Sequence, residues 1–157
     1  MEKNLDRKWR MQQLISKQKL KHKKEYGVLF EECMNVLGNE VSILSKVDGE
    51  EAYDCLQKTY PFSPWSRIDW EHVSSKMVVD NAKELEKYLS KEFDESDENV
   101  FILWSYGDFP VLKTQLQKAL EVIDDLRAVS SDIFILSPSR FVIECYHEGE
   151  ITIGFRN

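Results

Sequence analysis

Val100-Phe101-Ile102-Leu103-Trp104 is a short apolar run, β-branched and aromatic, that ends in the polar break Ser105-Tyr106-Gly107-Asp108. Pro110 then opens a helical pattern in which Leu112, Leu116, Ala119, Leu120 and Ile123 share one stripe. Three more apolar runs follow, Ile133 to Leu136, Phe141 to Tyr146 and Ile151 to Phe155, punctuated by Ser137-Pro138-Ser139 and His147-Glu148-Gly149-Glu150. Runs of this length, bounded by Pro, Gly and Ser, read as strands. Residues 99–157 therefore predict a β-α-β-β-β unit. Its crossover makes the first two strands parallel, and its short turns make the last three an antiparallel meander. The expected fold is α+β: a helical N-terminal half packed on one face of a small four-stranded mixed sheet.

Upstream, residues 25–98 read as mainly helical. Val28, Leu29, Met34, Val36, Leu37, Val41 and Leu44 suit one helix, with Gly38 as a weak point or end, and 49–58 suits a second. Tyr60-Pro61-Phe62-Ser63-Pro64-Trp65 breaks the pattern, because its two prolines forbid regular helix, and its aromatics read as anchors of a packed loop. Asp69 can cap a short helix from Trp70 to about Met77. Asp80 or Asn81 can cap the next, whose stripe is Ala82, Leu85, Tyr88 and Leu89, and an acidic loop over 94–98 closes it.

The chain of 157 residues reads as one domain, long enough to bury a core. Neither a membrane-spanning run nor an apolar signal region is present in the sequence, which predicts a cytosolic protein. Cys33, Cys55 and Cys145 lack CxxC spacing and read as reduced thiols, with Cys145 on the core face of its strand. Charge is divided unevenly. Residues 1–25 hold nine Lys or Arg against three acidic residues, a net of +6, and no Pro or Gly interrupts the basic helical arm expected over 1–24. The remaining residues hold 12 basic and 25 acidic side chains, a net of −13. Such a body repels nucleic acid and draws cationic partners from a distance.

Chemistry is sparse. The six glycines form no phosphate-binding loop, and no Gly-x-Ser-x-Gly elbow occurs. His147-Glu148 lacks the second His of a helical zinc motif, and Glu148-Gly149 reads as a two-residue hairpin turn. No catalytic, metal or cofactor constellation is supported, although Glu144, His147 and Glu148 are the residues an enzyme reading would use. Glu144 shares a strand face with Val142 and Tyr146. Buried, it needs a partner; on an open face, it projects a carboxylate from a rigid platform, as recognition of Arg or Lys requires. Asp124-Asp125 falls near the C-terminus of the expected helix, where the dipole disfavours carboxylates, and this hints at a use outside the monomer.

Several segments together resemble one family. They are the stretch from Tyr60 to Trp70, the strand Val100 to Trp104 followed by Phe109-Pro110-Val111-Leu112-Lys113, the pair Asp124-Asp125, and the ending from Asp132 to Phe155. Over about residues 60 to 155 the chain is similar to small immunity proteins of bacterial polymorphic toxin systems, of both the contact-dependent inhibition and the secreted LXG type. The resemblance implies a non-enzyme without cofactor: a cytosolic antidote that binds the C-terminal domain of a cognate toxin, often a nuclease. Contact residues are not carried by it. On charge and position, the partner-binding candidates are Asp69, Trp70, Asp108, Asp124, Asp125, Glu144 and Glu148. The alternative is a nucleic-acid- or ribosome-associated protein acting through the basic arm.

Overall fold

A computed structural model of the chain describes residues 10, 26–65, 67–92, 98–105 and 109–156. Apart from Arg10, the basic arm lies outside them, as do Asp108 and all of the expected acidic loop except Glu98.

The class is α+β, but the sheet has seven strands rather than four. In chain order the elements are α1 (Val28–Leu37), β1 (Ser42–Ile43), α2 (Lys46–Thr59), β2 (Lys76–Val79), α3 (Ala82–Glu92), β3 (Asn99–Trp104), β4 (Leu112–Gln115), α4 (Leu116–Glu121), α5 (Ile123–Val129), β5 (Ile133–Ser137), β6 (Phe141–Cys145) and β7 (Ile151–Phe155). Strand order is β1-β4-β3-β5-β6-β7-β2, and every neighbouring pair is antiparallel. The expected parallel pair is therefore corrected. Leu112, read as the start of a helix stripe, instead lies in β4, which pairs with β3 from Asn99↔Gln115 to Ile102↔Leu112. Helices α4 and α5 then lead from β4 to β5. These two strands are parallel to each other, but β3 lies between them.

Helices cover both faces of the sheet, not one. Strand residues alternate between faces, so Ile102, Ile135, Ile143 and Ile153 meet α1, α3, α4 and α5 through Phe30, Cys33, Leu85, Leu89, Leu116 and Leu126. Leu103, Phe134, Leu136 and Val142 meet α2 and the following loop through Ala52, Leu56, Tyr60 and Ile68. Burial on both faces explains why β5 and β6 read as nearly continuous apolar runs.

Four local expectations change. The single helix expected over 28–44 stops at Leu37, passes through a 3-10 turn at Gly38–Glu40 and continues as the edge strand β1. The helix expected after Asp69 is a 3-10 turn, Trp70–His72, followed by the edge strand β2. Within α1, Val28, Leu29 and Val36 are exposed, whereas Phe30, Cys33 and Leu37 are buried. The helix expected over 49–58 starts earlier, at Lys46, where Ser45 caps it by accepting from Asp48 N at 3.1 Å. The expected cap of α3 holds. Asn81 Oδ1 accepts from Glu84 N at 2.9 Å, and Glu84 Oε2 accepts from Asp80 N at 3.0 Å, a reciprocal cap for α3. Leu85 and Leu89 are fully buried.

None of the three cysteines is in a disulfide. Burial pushes the Cys33 and Cys145 thiols up to about 12, which suppresses the reactive thiolate. Cys55 is only half-buried. At about pH 8 the folded protein is expected to titrate at most one thiol rapidly with a disulfide reagent, and all three once unfolded. Rapid reaction of two or more in the folded state would contradict this burial. Among the described residues no helix is long and apolar enough to cross a membrane.

Candidate functional site

The alternation of β6 sends Phe141, Ile143 and Cys145 to one core and Val142 and Glu144 to the other face. Because that second face is also covered, Glu144 is 2% exposed. A carboxylate there is costly unless its oxygens are satisfied, and three donors satisfy them. Arg67 Nε donates to Oε1 at 2.6 Å, Trp70 Nε1 to the same oxygen at 3.0 Å, and the backbone N–H of Ile68 to Oε2 at 3.1 Å. All three donors lie on the loop between α2 and β2. The expectation of a carboxylate offered to a partner is thus corrected at Glu144: its charge is spent inside the protein, holding that loop.

The loop is itself folded. Phe62 and Ile68 form a β-bridge, Ser63 N donates to Arg67 O at 2.7 Å, and Asp69 N donates to Pro61 O at 2.8 Å. Of its aromatics, Tyr60 and Phe62 pack into the second core as expected. Trp65 does not: it is 87% exposed at the tip of the small hairpin. Trp70 lies across β7, where a Cβ on Gly154 would come within 2.7 Å of its ring, so only glycine admits the indole without displacement.

Arg67 ties the loop to the β6–β7 hairpin. Its guanidinium lies 3.9 Å from the centroid of the Tyr146 ring and one terminal nitrogen is 3.3 Å from Glu150 Oε1. Burial works against the Arg67 charge, but the hydrogen bond and negative charge of Glu144, helped by Glu150, more than offset it and raise its pKa. The hairpin tip is a three-residue loop, 147–149, rather than the expected two-residue turn. Tyr146 N donates to Glu150 O and Gly149 N to Tyr146 O, each at 2.9 Å, with Gly149 at φ 96°. Asp132 Oδ1 braces this tip, accepting from His147 N at 2.6 Å and lying 3.2 Å from its ring Nδ1.

The candidates fall into two groups. Asp69, Trp70, Glu144 and Glu148 belong to the loop and hairpin that Arg67 joins; Glu148 is exposed, and Asp69 is half-buried with its Oδ2 2.6 Å from His72 Nδ1. Asp124 and Asp125 are exposed on α5, which packs on the other face of the sheet. They also lie in the first turn of that helix, because the backbone breaks at Val122 (φ −111°, ψ 21°). Carboxylates there are favoured by the helix dipole, so the unfavourable placement inferred from the sequence does not exist. Asp108 lies outside the described residues. Arg67, Asp132 and Glu150 are not among the candidates read from sequence, and Trp65 is expected only as an anchor of a packed loop. The available signal was a lone arginine in a proline-bounded aromatic loop, together with a lone carboxylate in an apolar strand, two charges that each need the other. Among the described residues no three His, Cys, Asp or Glu side chains gather as a metal site would require.

A comparison with curated proteins gives no match. The model of one protein family, CdiI immunity protein EcoliA0-like, matches residues 27–154, extending beyond the resemblance over 60–155 to include α1 and α2. Most of the described fold, including the Glu144 loop and the hairpin, lies inside that match, and the chain belongs to this CdiI immunity family, whose role is to neutralise a cognate toxin of contact-dependent inhibition by binding it.

Proposed function

We propose that this immunity protein binds the C-terminal domain of a cationic nuclease toxin, an RNase, in the cytosol and covers its active site or substrate cleft. The observation that carries the reading is charge: residues 26–157 hold 25 acidic against 12 basic side chains. A nuclease is basic where it grips phosphate, so a body of this charge is steered to that cleft and competes with its substrate. Asp69, Trp70 and Glu148 are assigned to the contact. Asp124 and Asp125, on the other side of the sheet, strengthen the long-range field, and Asp108 enters by its charge alone.

The test mixes the purified protein with the toxin domain encoded beside it. A one-to-one complex, loss of RNA cleavage on its formation, and an association rate that falls steeply with added salt are expected. A neighbouring product that is harmless and does not bind would overturn the pairing. A bound toxin with no nuclease activity would overturn the nuclease assignment alone. The basic arm 1–24 is what favours a nucleic-acid- or ribosome-associated reading instead, and salt-sensitive RNA binding that is lost on removing that segment would support it.

A further inference from the structure

We infer that the toxin is gripped through Trp65, whose indole stacks on an arginine or lysine side chain of a basic toxin segment laid along the loop and hairpin that Arg67 joins. The inference rests on the proposed cationic partner and adds the place and the anchor.

Trp65 is 87% exposed, the most exposed of the large apolar side chains in the described structure. The bridge Phe62↔Ile68, the Ser63–Arg67 backbone bond and the three donors held by Glu144 pin both sides of the turn that carries it. A tryptophan on a turn held at both ends has only two side-chain torsions to order when it is covered, and this is the usual character of an interface anchor. Its surroundings select the partner's charge. Asp132, Glu148 and Glu150 belong to the same end of the sheet, Glu148 being exposed, and the guanidinium among them, Arg67, is already engaged by the buried Glu144 and by Glu150. A cation arriving beside Trp65 meets carboxylates and a π face together. The depression shared by Trp65, Arg67, Ser105, Asp132 and Tyr146 holds only about 20 Å³, too little for a small molecule. The surface therefore suits a protein segment that lies across it.

The test measures binding kinetics between the full-length protein and the catalytically silenced toxin domain encoded beside it. Trp65→Ala is expected to weaken the complex about 30-fold or more, mainly through faster dissociation, while Trp65→Phe, which keeps a π face, restores most of the affinity. Glu148→Lys is expected to slow association instead. Val28→Ala, on an exposed position of α1 on the other side of the sheet, serves as the control. Wild-type binding with Trp65→Ala within about twofold of it would overturn this inference and leave the immunity function standing. No wild-type binding at all would overturn both.

Discussion

Glu144→Ala is expected to lower the unfolding free energy by about 3 kcal/mol, read by urea titration, with a fall in Tm of roughly 6–12 °C. The substitution removes the acceptor of the Arg67 and Trp70 side-chain N–H groups and of the Ile68 backbone N–H, and Ile68 is itself 2% exposed. Removing one partner of a buried pair costs far more than the pair contributes, because the survivor is left unpaired in a poor solvent. Arg67 is 28% exposed and regains some water, so the loss sits at the low end of the range for buried pairs. Replacing the ion pair with apolar residues, Arg67→Met with Glu144→Leu, is predicted to cost less than the single change, because no charge is then left without its partner, although the Ile68 and Trp70 N–H groups still lose their acceptor. The alternative expectation is sharply different. A carboxylate facing solvent and waiting for a toxin would leave stability within about 0.5 kcal/mol when truncated. An unchanged urea midpoint would therefore return Glu144 to the interface.

That contrast marks where sequence reasoning stopped. The alternation of β6 put Glu144 on the correct face, and the requirement for a partner if that face is covered followed from charge burial. What could not be read was the cover. It comes from a loop more than seventy residues earlier in the chain, and local periodicity carries no information about such a pairing. The missed strands have the same cause. β3, β5, β6 and β7 are continuous apolar runs and were legible within a residue or two. β4, Leu112-Lys113-Thr114-Gln115, alternates buried and exposed, yet Leu112 also fits the stripe of the helix that follows. Its strand state is decided by β3 on one side and β1 on the other. The Asp124-Asp125 reading failed because one long helix was assumed where two short ones meet at Val122.

Helix α1 supplies the second large effect and a direct test of helical phase. Phe30→Ala is expected to destabilise the protein by about 3–5 kcal/mol, whereas Val28→Ala, two residues away, should change stability by no more than about 0.5 kcal/mol. From sequence, Val28, Leu29 and Val36 read with Leu37 as the apolar positions of this helix and Phe30 and Cys33 do not, a wrong phase that is easy to reach because apolar residues occur on two sides of it. Packing decides between them. Phe30 is fully buried, stacked on Phe109 at 5.7 Å between centroids and 10° between planes, and set edge-on to Trp104 at 6.3 Å. Tyr26 closes the group at 5.1 Å from Phe30. Truncation would leave a void lined by the rings of Tyr26, Trp104 and Phe109. Val28 is 66% exposed and has no comparable neighbours to lose. If the two variants unfold at the same urea concentration, the helix is rotated from the phase described and the first core is wrongly assigned. A large difference in the expected direction would tie α1 to the sheet. The outward row of Val28, Leu29 and Val36 would then be a true solvent face, and the Val28→Ala control in the toxin-binding test would be sound.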